Sequence, residues 1–394
     1  MKLFKTKVFL IAVAALFTFF LSNDFGLIDI EKTAIITALA VDIEDGEYSV
    51  NAQIALPSTS DNNNHNLKAQ ISGKGYTIGA AIKNLGDLSG WYPKMDFCNL
   101  IILGKEVAEN NAIDVLDYFS KTLRIQDSAV LVQSEKSAKD ILEVSTPLDE
   151  ISAFALQKVV LKNVGFNRDV ADSNVKNFVE GYFSDSSSSI MPLVKIVKQD
   201  GKGQSGESSS GSSSGQIGGE SKEPSLFNPA STSLFYKGVK VGELTEKQTL
   251  TFNMLTDNFS LTTLEIGNND VESEKVNYLL TVKKCDADIS LSVEEKLKVN
   301  FDVRLYCKIS DQNTANNDNQ YNKNEPLPKE VVADAENKIR SDIESLITAE
   351  KESGCDFLKI KEKLYRHHYD EYSLYKDDFM NFDYIINVKV EGQK

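Results

Sequence analysis

The side chains able to do chemistry are few and scattered. Three histidines occur, His65 in a polar run and the adjacent His367 and His368, which stand beside Asp370 and Glu371. The last four have the residue types of a metal site. Neighbouring helical residues point about 100° apart, however, whereas metal-binding pairs on a helix sit at i and i+4. The cluster therefore reads as cations at a helix C-terminus, where the dipole favours them. No Gly-x-Ser-x-Gly elbow presents a nucleophile. The serines gather in 203–223 and in Asp185-Ser186-Ser187-Ser188-Ser189, a turn. The acid pairs Asp377-Asp378 and Glu294-Glu295 are adjacent and would face opposite ways on a strand, which makes them solvated charge. Cys98, Cys285, Cys307 and Cys355 form no CxxC, so zinc-knuckle and thioredoxin-like chemistry have no framework. They read as four buried thiols, with a bridge between Cys285 and Cys307 across a hairpin as the alternative. Trp91-Tyr92-Pro93 reads as an aromatic cap on a core, the alternative being a contact surface. The expectation is a noncatalytic chain with no catalytic residue, no metal and no cofactor.

Charge and composition narrow the partners. The 394 residues carry a net charge of -15, which repels phosphate backbones, and no basic stripe is interleaved with aromatics, so no nucleic-acid partner is expected. With 26% charged and 41% hydrophobic residues the chain has room for two or three cores and is not polytopic in a membrane.

The N-terminus has the layout of an export signal. Lys2, Lys5 and Lys7 precede Val8 to Leu21, which holds one hydroxyl, Thr18, and no charge, and Asp24, Asp29 and Glu31 follow. The lysines stay in the cytoplasm and the rest of the chain crosses. Phe20 spoils the small-residue pattern of a cleavage site, and no cysteine follows to accept a lipid. The run is short against the ~20 residues that a bilayer core needs, although Phe25, Leu27 and Ile28 extend it. A retained membrane anchor is the preferred reading, with cleavage as the alternative.

Elements follow from periodicity. Ala34 to Val41 is a buried strand, Asp45-Gly46 turns it, and Tyr48, Val50, Ala52 and Ile54 alternate behind it. A helix starts near Thr77, Asn99 to Gly104 and Ala129 to Val132 are strands, and helical patterns occupy about 105–123 and 137–144. This is a mixed sheet flanked by helices. Residues 203–223 hold six glycines and eight serines, the composition of a linker. Beyond it, Ser233 to Leu244 reads as a hairpin turning at Lys237-Gly238, and Thr245 with Gln248 makes a capping box. Three alternating segments at about 275–283, 286–293 and 297–309 read as antiparallel strands, and Asp311 to Glu325 as an exposed loop. Pro328 opens a long helix in which Val332, Ala335, Ile339, Ile343 and Leu346 recur; Gly354 stops it and Asp356 caps the next. Tyr384, Ile386, Val388 and Val390 close the chain as a strand. The fold class is α+β, mixed α/β. It divides into an anchor at 1–27, an α/β region at 28–200 that could split near 125, a linker at 201–225, and at 226–394 an antiparallel sheet packed by two helices.

Three stretches in this order carry a resemblance. They are Ile30 to Asp42, Leu234 to Gln248 with Val241-Gly242-Glu243-Leu244, and the run from Ala335-Glu336-Asn337-Lys338-Ile339 through Gly354-Cys355-Asp356-Phe357-Leu358 to Tyr365-Arg366. The whole resembles the Ger(x)C family, the C subunits of nutrient germinant receptors in endospore-forming bacteria. The resemblance implies three mixed α/β domains on the outer face of the inner spore membrane. It also implies integral membrane partners, the A-type and B-type subunits, and joint sensing of small nutrients, with any contact of this subunit with the nutrient indirect and not readable from the sequence. The family's lipoprotein cysteine, expected near Asp24, is absent here, which leaves attachment to the helix at Val8 to Leu21. The alternative function is a stand-alone exported ligand-binding or hydrolytic protein with its pocket between the two halves.

Overall fold

A continuous apolar run with no helical period, Thr33–Glu44, makes β1, and it lies at the heart of a nine-stranded sheet. The computed structural model describes residues 7, 9–17, 33–55, 68–122, 125–147, 149, 151–167, 169–198, 225–256, 261–267, 277–313 and 326–392. His65, the Ser/Gly run at 203–223, residues 314–325 and most of the leader lie outside them. Within the leader, 9–17 form α1, whose Phe9, Leu10, Ile11, Leu16 and Phe17 are all exposed. Nine residues rise only about 14 Å along a helix, against a hydrocarbon core of about 30 Å. No helix among the described residues is long and apolar enough to cross a membrane, so the full-length spanning helix expected there is not seen.

Asp45 and Gly46, both at positive φ (53° and 81°), form the two-residue turn that returns β1 into β2, Glu47–Ala55. β3, Lys68–Gly75, completes an antiparallel meander. Thr77 caps α2, Ile78–Ser89, by accepting from the Ala80 amide at 3.1 Å. There follow β4 (Tyr92–Lys94), β5 (Leu100–Leu103), α3 (Lys105–Asn110), α4 (Ala112–Thr122), β6 (Val130–Ser134), α5 (Ala138–Glu143) and α6 (Ser152–Lys162). α7 (Val175–Phe183) and β7 (Ser188–Lys198) end the region before the Ser/Gly run. β1, β5, β6 and β7 run parallel through helical crossovers, as the alternation of strand and helix patterns requires.

The hairpin after the Ser/Gly run belongs to this sheet. β8 (Ser225–Tyr236) and β9 (Val239–Leu244) turn at Lys237-Gly238, and β8 pairs antiparallel with β7 over its length, giving the order β3-β2-β1-β5-β6-β7-β8-β9 with β4 beside the start of β1. From its place after the Ser/Gly run the hairpin is expected in the second half. The physical reason it serves both is the alternation of a strand: Phe235 is buried in the core of the first sheet, while Leu234, on the opposite face, is buried in the core of the second half.

The second half has α8 (Glu246–Thr256), β10 (Thr262–Ile266), β11 (Asn277–Val293), β12 (Leu297–Asn313), α9 (Lys329–Ser353), α10 (Ile360–His367), α11 (Tyr369–Tyr375) and β13 (Asp383–Gly392). Its sheet runs β10-β11-β12-β13. Two of the expected segments, 275–283 and 286–293, are one strand; a register shift between Val282 and Lys284 moves the buried positions from Leu280 and Val282 to Cys285 and Ile289. β13 pairs with β12 in parallel, because α9 to α11 carry the chain back across the sheet before it closes. α9 buries Ala335, Ile339, Ile343, Leu346, Ile347 and Glu350 along one stripe. Pro328 stands at its N-cap and Gly354 (φ 63°) at its C-cap.

Candidate functional site

The two halves meet where α7, the 184–187 turn and the start of β7 face the end of α9 and the 354–359 loop. The sequence sets this meeting locally. Gly181 in the last turn of α7 lets the strand come close, since a Cβ there would lie 2.5 Å from the Ser188 carbonyl oxygen. Ser187, at φ 48°, tightens the turn, and β7 then starts at Ser188. On the other side Gly354 ends α9 in a left-handed conformation, so the chain doubles back through Cys355, Asp356 and Phe357 into α10.

A buried carboxyl pair lies at this junction. Asp356, 1% exposed, accepts from the Ile360 amide at 2.7 Å, the Lys361 amide at 2.9 Å and, across the junction, the Ser186 hydroxyl at 2.6 Å. It thus caps α10 as its position suggested, although Lys359 occupies the formal N-cap. Glu350, with no exposed surface, accepts from the Leu358 amide at 3.1 Å through Oε1, while its buried Oε2 has no donor. The two carboxyl groups are hydrogen-bonding neighbours. Burial, followed by the Asp356 charge, pushes Glu350 well above the usual carboxylate range. Burial raises Asp356 too, against the lowering pull of the Ser186 hydroxyl and the Lys361 and Ile360 amides. Two acceptor oxygens cannot bond unless one carries a proton, and the stronger rise at Glu350 together with the three donors on Asp356 places that proton on Glu350. The Cys355 thiol adds a contact to the Phe235 carbonyl at 3.3 Å, again across the junction.

Beside this pair lies a cavity of about 410 Å³ between α7 and β7 on one side and α8 with residues 357–363 on the other. Phe178, Phe252 and Phe357 give it an apolar wall, and Lys359 and Lys363 stand at its border. Its serines are already committed: Ser173 donates to the Ile190 carbonyl at 2.9 Å and Ser189 to the Phe178 carbonyl at 2.7 Å. Hydroxyls held on backbone carbonyls are structural donors.

A second buried acid ends the first stretch of the resemblance. Asp42 accepts from the amides of Ala138 (2.7 Å) and Lys139 (3.0 Å) and the hydroxyl of Ser137 (3.0 Å), capping α5 from a neighbouring strand. Burial raises its pKa, and the two amides and the hydroxyl hold it down.

The residues with metal-site chemistry do not converge. His367 closes α10, His368 sits between α10 and α11 with Nε2 3.1 Å from the Leu291 carbonyl oxygen, and Asp370 and Glu371 start α11. Among the described residues no three His, Cys, Asp or Glu side chains gather as metal ligands. All four cysteines are free and buried, and burial pushes each thiol up to about 12. Cys285 and Cys307 do not face each other, since Cys285 lies opposite Leu305 and Cys307 opposite Val282. Trp91 is not a core cap. It is 48% exposed, because the left-handed turn at Gly90 throws it outward and leaves Pro93 to pack on α2.

Glu350 was hidden among many acids. Its signal was position: it falls four residues after Leu346 on the stripe that also carries Ile339 and Ile343, and a charge on a buried stripe needs a partner.

Residues 27–196 match the family model for the spore germination protein N-terminal domain, and residues 230–393 match the one for the spore germination B3/GerAC-like C-terminal domain. A crystal structure of the GerBC protein is similar over 93% of this chain and 100% of its own, at 14% identity and a TM-score of 0.48. No curated protein matches the chain.

Proposed function

The chain belongs to the Ger(x)C family of spore germination proteins, and from that premise we propose that it is a noncatalytic subunit of a nutrient germinant receptor, tethered to the outer face of the inner spore membrane. Its partners are the integral membrane subunits of the A and B types, which it helps to assemble or to couple. The observation that carries this reading is the order of the two matched domains, 27–196 and 230–393, directly behind a lysine-flanked apolar leader. Tethering serves a docking subunit because confinement near a surface raises the effective concentration of its partners without new contacts. The junction suits a body that transmits force or position, since both halves are fastened by buried polar contacts.

The cavity of about 410 Å³ between the halves favours a second reading, a stand-alone exported ligand-binding protein. Affinity purification of the tagged chain from detergent-solubilised spores separates the two. The receptor reading expects multi-span membrane proteins in the eluate at comparable amounts, and recovery as a lone monomer would overturn it.

A further inference from the structure

One end of the first sheet exposes aromatic and aliphatic side chains that no described residue covers. Leu88 in the last turn of α2 is 73% exposed, Trp91 48%, Tyr92 56%, Phe97 51% and Ile35 39%. They share one end of the sheet because β4 pairs in parallel with the first residues of β1, Tyr92 opposite Thr33 and Lys94 opposite Ile35, and because α2 stops at Ser89, just before Trp91; alternation puts Tyr92 and Ile35 on the face away from Pro93 and α2, so the end is apolar on both sides. Lys94 stands 6.0 Å over the Phe97 ring, and its ammonium is 3.8 Å from the Asp96 carboxylate.

We propose that this patch lies against the headgroup layer of the phospholipid bilayer that holds the leader. The inference rests on the tethered reading above. The chain reaches the sheet at Thr33, in register with Tyr92, and only residues 18–32 separate that point from the exposed apolar α1. Fifteen residues extend at most about 50 Å, and as a coil span about 20 Å, so a leader embedded in a membrane keeps this end of the sheet close to it. The chemistry matches the depth: Trp and Tyr rings, apolar in body and polar at one edge, concentrate at the membrane–water interface. With the Lys94 ammonium paired to Asp96 the patch offers little net positive charge to anionic lipid, so the contact is one of apolar insertion and changes little with salt.

Trp91 is the chain's one tryptophan and reports on the patch directly. The full-length chain is reconstituted with vesicles of phosphatidylcholine and phosphatidylglycerol, floated on a density gradient, and its emission measured with acyl chains brominated near the headgroup and with aqueous iodide. The proposal expects flotation, a blue-shifted emission quenched by the brominated lipid at low and high salt, and protection from iodide. The double variant Leu88→Ser with Phe97→Ser still floats through the leader but loses most of the lipid quenching and becomes sensitive to iodide. Flotation with Trp91 open to iodide and indifferent to bromine overturns the patch while leaving the tether. Failure to float removes tether and patch together.

Discussion

Glu350 is the residue on which the junction turns. The folded protein holds its proton above the ordinary carboxylate value of 4.5, and the unfolded chain releases it there. The fold therefore binds more protons than the unfolded chain, and the stability contributed by the pair is complete below that value and is lost as pH rises toward Glu350's raised pKa. Glu350→Gln reproduces the protonated geometry: its carbonyl accepts from Leu358 and its amide donates to Asp356. Urea midpoints followed from pH ~5 to ~9 should fall for the parent and stay nearly flat for this variant. A variant as steep as the parent would show that the proton resides elsewhere. Asp356→Ala should cost about 3 kcal/mol or more in the same titration, because it strips three donors of their acceptor and leaves Glu350 buried alone.

Elements were largely legible because their punctuation is chemical. Asp45-Gly46 and Lys237-Gly238 are the positive-φ turns their residues suggested, Thr77 is the α2 cap, and Thr245 with Gln248 exchanges the expected bonds, the Gln248 amide to the Thr245 hydroxyl at 3.3 Å and the Thr245 amide to Gln248 Oε1 at 3.0 Å. The stripe on α9 was legible as well, and it yields a sharp test. Ile339 is 2% exposed in the core of the second half. Ile339→Asp should cost several kcal/mol, read as a lost or greatly lowered melting transition, and an unchanged melting temperature would refute the packing of α9. What periodicity could not supply was pairing. A bulge at Val282 looks like a strand break, and a parallel closing strand has the same alternation as an antiparallel one.

At the scale of the molecule, β8 joins what the sequence seemed to divide. Its Leu234 and Phe235 feed different cores, so the parts on either side of the Ser/Gly run share a strand. The junction site was invisible for the same reason: Ser186 and Asp356 are 170 positions apart and meet only through tertiary structure. The leader, by contrast, is written in charge and hydropathy alone, and the proposed tether, receptor docking and lipid contact depend on its staying attached. Intact-mass measurement of the protein in fractionated spore membranes tests that dependence most directly. The account predicts a chain that keeps the Val8 to Leu21 leader, membrane-bound and extracted only by detergent. A soluble species beginning beyond Asn23 and carrying no lipid would contradict it.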